Sequence, residues 1–426
     1  MRDVGREVAK SPAPALYAGP RMVTFRDIEE ARRKIQDAVF LSPCAFSETL
    51  SRLTGTKLYL KLENLQMTGS FKERGACNKL LSLTPEERAT GVITASAGNH
   101  GQAVAYHASR LGIRATVVMP ESSPLVKAQN TRGFGAEVVL HGASFDDATD
   151  HAMQLCAEKN LVYVHAFDDP LIMAGQGTIG LELLEQNPYL EAVVVPVGGG
   201  GLIGGIACAI KETNPRIKVY GVQTAAFPSM KRALEAGAPV ALPPARTIAD
   251  GIAVKRAGKL TLEAVKKYVD DIVLVSERSI SEAILALLER EKTVAEGAGA
   301  AGLAALMSDK LQLEGKRVAI VLSGGNIDMN VISRIIERGL VASGRMMRVR
   351  VTVPDVAGSL AGVLRTVADR QANVVEIHHD RTFSDIELGE TAIDLVLETR
   401  GFDHVHEVRT ALENAGYRVS PTEERR

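Results

Sequence analysis

The sequence predicts a large α/β unit with parallel-type sheets flanked by helices, followed by a small ferredoxin-like βαββαβ unit. Two observations predict the first unit. Short apolar runs alternate with longer helical patterns over residues 25–340, and glycine-rich turns follow several of these runs. A third observation predicts the second unit: after Gly344, apolar and polar residues alternate along the strands, as in a sheet with one exposed face.

The strands of the first unit are runs of apolar residues without charges inside them. They include residues 115–119, 192–196, 219–223 and 317–322. Such runs are typical of strands buried on both faces of a parallel sheet. The uncharged stretch 192–210 contains six glycines and one proline, so we interpret it as strand, loop and helix and not as a membrane span.

The second unit follows the order βαββαβ over residues 344–426. The apolar positions indicate strands near 347–353, 374–377, 393–397 and 417–420 and helices near 360–367 and 405–415. We therefore expect residues 25–343 to be the core and residues 344–426 to be a separate domain. Residues 1–24 lack the apolar segment of a signal peptide and are rich in Pro, Gly and Ala, which predicts a poorly ordered leader.

Composition excludes several classes of function. Fifty basic and 51 acidic residues leave no excess charge for a nucleic-acid or anionic membrane surface, so we expect neither partner. The four cysteines lack zinc-site or disulfide spacing, which favours reduced thiols in a cytoplasmic protein; they are Cys44, Cys77, Cys156 and Cys208.

Two motifs lie in the first half of the core. Lys72 lies between Ser70-Phe71 and Arg74-Gly75, where a helix start and a cationic neighbour favour an amine of lowered pKa suited to Schiff-base chemistry. A solvated surface lysine is the alternative for this segment alone. The second motif, Ser96-Ala-Gly-Asn-His-Gly-Gln102, follows an apolar run, and its small residues allow backbone N–H groups to face an anion. A plain strand-to-helix turn, with His100 structural, is the alternative.

Two further motifs lie in the second half. Four consecutive glycines, Gly198 to Gly201, cost backbone entropy, which is explained if the loop wraps a phosphate. They also satisfy G-x-G-x-x-G, but a dinucleotide site would need an acid at the end of the next strand, where Gln223 stands. The fourth motif, Ser323-Gly-Gly-Asn326, follows the last strand, and in isolation its serine could simply cap a helix.

Taken together and in this order, the four motifs resemble those of the fold-type II pyridoxal-phosphate enzymes, and they are most similar to the threonine (serine) dehydratases. The resemblance covers residues 24–337. It implies a two-lobed core, with the smaller lobe at about residues 60–160. It also implies a pyridoxal 5'-phosphate cofactor and the conversion of a hydroxy-amino acid, threonine first, to a 2-oxo acid and ammonia.

The resemblance also implies roles for single residues. Lys72 holds the cofactor and removes the α-proton, and Ser323 faces the pyridine nitrogen, where a hydroxyl makes the ring a weaker electron sink than a carboxylate would. The residues implied to contact the cofactor are Phe71, Lys72, Asn99, Gly198, Gly199, Gly200, Gly201, Leu202 and Ser323. Those implied to bind the substrate are Ser96, Gly98, Asn99 and His100.

The sequence departs from the family at one site. Relatives that hold a divalent cation carry two acids where this chain has Gln223 and Ser229, so we expect no bound metal. Glu296 resembles the glutamate of the family's E-x-x-A-G segment near the active site, although the usual proline is missing.

The C-terminal unit resembles an ACT domain, an amino-acid-sensing module. Its first turn, Pro354-Asp-Val-Ala-Gly-Ser-Leu360, carries this resemblance and implies an effector site formed by Asp355, Gly358, Ser359 and Leu360. Isoleucine, the end product of the biosynthetic pathway that threonine dehydration feeds in relatives, is the first effector to consider. A plain dimerisation module is the alternative.

We therefore expect a cytoplasmic, regulated threonine dehydratase that forms a homo-oligomer, either a dimer or a tetramer. A serine dehydratase or serine racemase on the same scaffold is the nearest alternative. A dinucleotide-dependent dehydrogenase is opposed by Gln223. A non-catalytic amino-acid sensor is opposed by the intact Lys72 and glycine loop.

Overall fold

The computed structural model describes residues 21–380 and 387–421. They divide into two compact units, one ending at Ile327 and the other beginning at Asp328. The predicted boundary at Gly344 lies after this division, because the helix that precedes Gly344 groups with the second unit. Apolar periodicity does not reveal which unit a helix packs against, so the sequence could not place this boundary.

The first unit contains ten strands and thirteen α-helices among the described residues. The strands are β1 Cys44–Phe46, β2 Lys57–Leu62, β3 Val92–Ala95, β4 Ala115–Met119, β5 Glu137–Leu140, β6 Val162–Tyr163, β7 Ala192–Pro196, β8 Lys218–Thr224, β9 Asp271–Val275 and β10 Arg317–Leu322. The helices are α1 Phe25–Ile35, α2 Glu48–Thr54, α3 Lys72–Leu81, α4 Pro85–Thr90, α5 Asn99–Arg110, α6 Leu125–Gly133, α7 Phe145–Lys159, α8 Pro170–Gln186, α9 Gly201–Thr213, α10 Ser229–Ala236, α11 Lys259–Tyr268, α12 Glu277–Ala286 and α13 Gly297–Met307. Short 3-10 turns at Glu63–Leu65 and Asp250–Ile252 and a π-helical turn at Leu287–Glu291 complete it.

Two sheets form the two lobes of this unit, as predicted. The larger has the order β1-β2-β10-β7-β8-β9, and the smaller has the order β5-β4-β3-β6. All neighbouring strands are parallel except β1 and β2, which are antiparallel. Every residue of β3, β4 and β7 is buried, which confirms the prediction of strands covered on both faces.

The uncharged stretch 192–210 is strand β7, the glycine loop and most of α9, as predicted. Among the described residues, no helix is long and apolar enough to cross a membrane. The parallel arrangement also brings the ends of β7 and β10 to one edge of the larger sheet, because these strands are neighbours. Two of the four motifs follow these ends, so the topology itself brings them together.

The second unit has the predicted βαββαβ order, preceded by helix α14. Its elements are α14 Met329–Ala342, β11 Met346–Pro354, α15 Ser359–Asp369, β12 Asn373–Asp380, β13 Glu390–Glu398, α16 Phe402–Asn414 and β14 Arg418–Pro421. The sheet order is β12-β13-β11-β14, and all neighbours are antiparallel. Met347, Val349, Val351 and Val353 are buried on one face of β11, which confirms the alternation that predicted a ferredoxin-like unit.

The predicted leader, residues 1–24, falls mostly outside the described residues. Its last four residues are described and belong to the folded unit. Val23 is fully buried, and Thr24 caps α1 with reciprocal hydrogen bonds to Asp27. Folded structure therefore begins earlier than the composition indicated.

Candidate active site

Two of the sequence motifs contact each other through their backbones. The N–H group of Phe71 donates to the carbonyl oxygen of Ser323 at 3.0 Å, and Ser70 forms an antiparallel bridge with Gly324. The N–H group of Gly325 donates to the carbonyl oxygen of Gly69 at 2.9 Å. These bonds fix the start of α3, which no side chain caps, against the end of β10.

Lys72 is the first residue of α3, as the motif predicted. Its Nζ donates to the carbonyl oxygen of Ala166 at 2.9 Å and lies 5.3 Å from the ring centre of Phe71. Burial lowers the pKa of this amine to about 8, and the carboxylate of Glu296 opposes the shift. Near neutral pH roughly one tenth of Lys72 is therefore a neutral amine, far more than for an ordinary lysine, and this is the form that attacks a carbonyl carbon.

The glycine loop after β7 leaves a row of backbone donors without protein partners. Within the described part of the chain, no residue accepts a hydrogen bond from the N–H groups of Gly198 to Leu202. Gly200 has φ +96°, and a Cβ atom at Gly199 would lie 2.4 Å from the ring of Phe167. Only glycine fits this course, and the loop ends at the N-terminus of α9, so the donors converge on a site suited to an anion.

Residues 165–169, which the sequence analysis did not single out, contact both Lys72 and the glycine loop. The carbonyl oxygen of Ala166 accepts from Lys72, and Phe167 packs against the glycine loop. The carboxylate of Asp168 accepts from the backbone N–H groups of three residues at the start of α11, which are Lys259, Leu260 and Thr261. Asp169 caps α8 before Pro170. The Asp-Asp-Pro sequence indicates a helix start, but nothing local indicates the contacts with Lys72 and the loop.

The residues implied to bind substrate lie at the end of β3 and the start of α5. The Ser96 Oγ accepts from the N–H group of Gly98 at 3.3 Å. The ring of His100 is only 3% exposed, and its Nε2 donates to the carbonyl oxygen of Val164 at 3.0 Å, since a carbonyl can only accept. Burial lowers the pKa of His100 to about 3, so the ring is neutral. The ring therefore bonds the backbone that follows β6, in line with the alternative in which His100 is structural.

Asn99 connects two residues whose roles the motifs did not define. Its Nδ2 donates to both carboxylate oxygens of Glu296, at 2.9 and 3.0 Å. Its Oδ1 accepts from Nδ2 of Asn326 at 2.8 Å. Glu296 therefore lies in the site, as the resemblance indicated, and the last residue of the Ser323–Asn326 motif contacts Asn99.

Gln223 and Ser229, which replace the two acids of cation-binding relatives, contact each other. Nε2 of Gln223 donates to the carbonyl oxygen of Val197 at 3.3 Å and to the Ser229 Oγ at 3.4 Å. Its Oε1 accepts from the N–H group of Lys231 at 3.0 Å. In the part of the chain that the structure describes, no cluster of three or more His, Cys, Asp or Glu side chains could hold a metal ion.

These features fit pyridoxal phosphate. The free N–H groups at the N-terminus of α9 match a phosphate, and the desolvated amine of Lys72 matches an aldehyde. Ser323 is 1% exposed and lies one residue from the bridge that anchors α3. The first unit thus provides backbone donors for an anion, a reactive amine at Lys72 and a buried hydroxyl at Ser323.

Comparison with known proteins agrees with this fit. The family described as "Pyridoxal-phosphate dependent enzyme" matches residues 35–324. An L-threonine ammonia-lyase of Thermotoga maritima is 51% identical over 398 residues, which are 93% of this chain and 99% of the relative. The chain therefore belongs to the pyridoxal-phosphate-dependent enzyme family, and pyridoxal phosphate is its cofactor.

Two further relatives are informative. An L-threonine dehydratase, catabolic TdcB, of Staphylococcus aureus is 47% identical over 323 residues, 75% of this chain and 93% of the relative. Among solved structures, maize serine racemase superposes with a TM-score of 0.71 at 34% identity, over 75% of this chain and 99% of that chain. The core thus resembles both lyases and a racemase.

The proposed effector residues lie in the second unit, at the start of α15. Gly358, with φ +95°, precedes the helix, and Ser359 is its first residue. Leu360 packs partly buried against the apolar core of that unit. Asp355 donates its N–H group to the carbonyl oxygen of Gly389 at 2.8 Å.

Proposed function

We propose that this enzyme is a threonine ammonia-lyase, which converts L-threonine, and also L-serine, to a 2-oxo acid and ammonia. The observation that carries the proposal is the position of Lys72, whose amine donates to Ala166, while the next residue, Phe167, packs against the glycine loop and its free N–H donors. The 51% identity to an L-threonine ammonia-lyase over nearly the whole chain supports the choice of substrate.

In this proposal Lys72 holds the cofactor covalently, and its Nζ later takes the α-proton of the substrate. Gly198 to Gly201 and Leu202 would donate N–H groups to the cofactor phosphate, and Phe71 would lie against the ring. Asn99 would form a hydrogen bond with the ring hydroxyl, and the Ser323 hydroxyl would face the ring nitrogen. Ser96, Gly98, Asn99 and His100 surround the substrate carboxylate, with His100 contributing through its backbone because its ring bonds Val164.

Pyridoxal phosphate supplies an electron sink for the bond to the α-proton when it is bound. Lys72 moves the proton, and the β-hydroxyl then leaves as water. The released enamine becomes an imine, and water hydrolyses it to the 2-oxo acid and ammonia. Ammonia is the only net loss, because the water lost in elimination is regained in hydrolysis.

The test begins with the purified protein. Its visible absorbance should show bound cofactor, and borohydride reduction followed by peptide mapping should place the label on Lys72. Addition of L-threonine should yield 2-oxo acid and ammonia in equal amounts. If L-serine gives mainly D-serine, and L-threonine gives no 2-oxo acid, the racemase assignment replaces the lyase assignment.

We further propose that the second unit binds an amino-acid effector at Asp355, Gly358, Ser359 and Leu360, with isoleucine the first compound to test and valine the second. Ser359 begins α15, where backbone N–H groups suit a carboxylate, and its own N–H group donates to the carbonyl oxygen of Val356 at 3.3 Å. Binding alters catalysis only if the effector prefers one conformational or oligomeric state.

We also propose that the enzyme is cytoplasmic and forms a homo-oligomer. All four cysteines are free thiols, which supports a reducing compartment. Several large apolar side chains are exposed within a short part of the chain, which supports an interface with a second copy; they are Phe40, Leu41, Phe46, Leu53, Leu65 and Met67. Light scattering on the purified protein would measure the number of subunits.

A further inference from the structure

Three side chains from three separate motifs form a hydrogen-bond chain with one direction. Nδ2 of Asn326 donates to the carbonyl oxygen of Thr68 at 2.7 Å and to Oδ1 of Asn99 at 2.8 Å. A backbone carbonyl only accepts, so the nitrogen of Asn326 must face Thr68 and Asn99. The oxygen of Asn99 then faces Asn326, and its nitrogen faces Glu296.

The carboxylate at the end of this chain is enclosed. Glu296 is 3% exposed, and its backbone N–H group donates to the carbonyl oxygen of Gly324 at 3.0 Å. A Cβ atom on Gly324 would lie 2.6 Å from its Oε1, and one on Gly251 would lie 3.0 Å from the same oxygen. The carboxylate therefore lies close to two glycines, and a side chain at Gly324 would displace it from its place beside Asn99.

The groups that act on the pKa of Glu296 come from four elements. Burial and the charge of Asp250, on a 3-10 turn, raise the pKa of Glu296 to about 7. The hydrogen bond from Asn99 on α5 and the charges of Lys127 on α6 and Lys72 on α3 act in the opposite direction. Glu296 in turn opposes the fall in the pKa of Lys72. Geometry places the two groups close together, because the Glu296 N–H group donates to the carbonyl oxygen of Gly324, and Ser70, two residues before Lys72, forms a bridge with Gly324. The other titratable groups that sense the charge of Lys72 are His100 and His165, and the pKa of each is lowered, mainly by burial.

We propose that Glu296 is the charge partner of Lys72 and that, with Asn326, it fixes the direction of the Asn99 amide. Both are positioning residues, since neither donates to or accepts from Lys72 itself in the described structure. This inference rests on the proposed role of Lys72 and adds to it the groups that control its charge.

The sign of the electrostatic effect follows from the charges. An ionised Glu296 stabilises the ammonium form of Lys72 and so favours a higher pKa of the amine. Replacing the carboxylate by a neutral amide removes that stabilisation. In a Glu296→Gln variant, the neutral amine of Lys72 should therefore persist to lower pH.

The first experiment measures how fast the cofactor-free protein captures added pyridoxal phosphate between pH 6 and pH 10, by visible absorbance. The capture rate follows the neutral amine, so its midpoint in the wild type should lie near the pKa of about 8. Glu296→Gln should move the midpoint to lower pH. Glu291→Gln is the matched control, because Glu291 bonds Ser47 outside the site, and its midpoint should equal that of the wild type. Equal midpoints for Glu296→Gln and the wild type would overturn the charge partnership.

The second experiment reverses the donor and acceptor roles in the hydrogen bonds between Asn326, Asn99 and Glu296. Asn326→Asp can only accept, so Asn99 must turn its nitrogen toward position 326 and its oxygen toward the carboxylate of Glu296. That arrangement opposes two acceptors, and the affinity for pyridoxal phosphate should fall. In the double variant Asn326→Asp/Glu296→Gln, the new amide can donate to the Asn99 oxygen, so part of the affinity should return.

The readout is the dissociation constant of pyridoxal phosphate, with thermal unfolding as the check of folding. Asn326→Ala is the control, because it removes the donor without adding an acceptor, and Glu296→Gln should not rescue it. Favourable coupling in the double-mutant cycle supports the directed chain. A double variant as weak as the sum of the single losses overturns it.

The role of Lys72 and the roles of Glu296 and Asn326 are tested by different outcomes. If borohydride labels no peptide containing Lys72 in the wild type, the proposed role of Lys72 fails. If Lys72 is labelled, but the pH midpoint and the coupling are unchanged, only the roles of Glu296 and Asn326 fail.

Discussion

Helix α3 carries two cations two residues apart, a buried Arg74 and a half-buried Lys72, and their surroundings differ completely. Arg74 is 1% exposed and donates to both carboxylates of Glu63 and Glu182 and to Thr178. Lys72, among the described residues, forms no ion pair, and its amine donates to one carbonyl oxygen. Burial alone would lower the pKa of Arg74, but Glu63 and Glu182 outweigh it and raise that pKa above its ordinary value.

This difference indicates that Arg74 stabilises the fold, whereas Lys72 takes part in the reaction. The charge cluster, defined as Lys61, Glu63, Arg74 and Glu182, contains two cations and two anions that satisfy one another. It joins β2, the turn after it, α3 and α8, and so fixes the helix that begins at Lys72. Lys72 forms no ion pair among the described residues, so burial lowers the pKa of its amine and the more distant charge of Glu296 opposes this only in part. On the same helix, Arg74 therefore stays charged, whereas Lys72 can lose its proton.

Loss of the Lys72 amine should have the largest effect on activity. Lys72→Ala should lower turnover of L-threonine by at least the 10^2- to 10^4-fold, to order of magnitude, that proton transfer by a side chain contributes. Borohydride should no longer fix cofactor to the protein. Lys79→Ala is the matched control, since Lys79 lies on the same helix but pairs with Asp169. A Lys72→Ala protein that eliminates water at the wild-type rate would refute the assignment.

Loss of the supporting cation should act on stability. Arg74→Met leaves the carboxylates of Glu63 and Glu182 buried without their main partner, which costs about 3–5 kcal/mol of unfolding free energy. Arg278→Met, which breaks an exposed pair with Glu282, should cost less than about 1 kcal/mol. Urea unfolding measures both. If the two variants lose similar stability, the cluster does not support α3 in the way described.

A change at Ser323 should act on the outcome of the reaction more than on its rate. In Ser323→Asp a carboxylate would keep a facing ring nitrogen protonated, which a hydroxyl cannot do. Racemised substrate or transamination product should then increase relative to 2-oxo acid. Chiral chromatography of the products, with bound cofactor checked by absorbance, gives this ratio. An unchanged ratio in folded, loaded protein would show that Ser323 does not face the nitrogen.

Removal of the second unit should have the smallest effect on basal turnover. The family match ends at residue 324, close to the division after Ile327, so a chain cut there should remain an active lyase. A cut after Arg345 keeps α14 without the rest of its unit and should be less stable. Only the full-length enzyme should respond to isoleucine or valine across threonine concentrations. If neither compound changes the full-length curve, and calorimetry detects no binding to residues 328–426, the second unit is a dimerisation module.

Much of the fold could be predicted because it is local. The apolar runs of β4 and β7 and the alternation in β11 are visible in a few consecutive residues, and each pattern determines how many faces of a strand are buried. The start of α3 at Lys72 could also be predicted. The division at Ile327 could not, because it depends on which unit α14 contacts and not on its periodicity.

The sequence by itself determined the chemistry available to this protein: a lysine at a helix start, a loop that only glycine can form, and motifs at strand ends. Only the tertiary structure decided which groups control that chemistry. Glu296 reaches Asn99 across 197 positions, and Asn326 reaches it across 227. No local pattern records these contacts, because parallel strands far apart in the chain bring their ends to the same place. The charge of Lys72 depends on burial and on such neighbours, which exist only after the chain has folded.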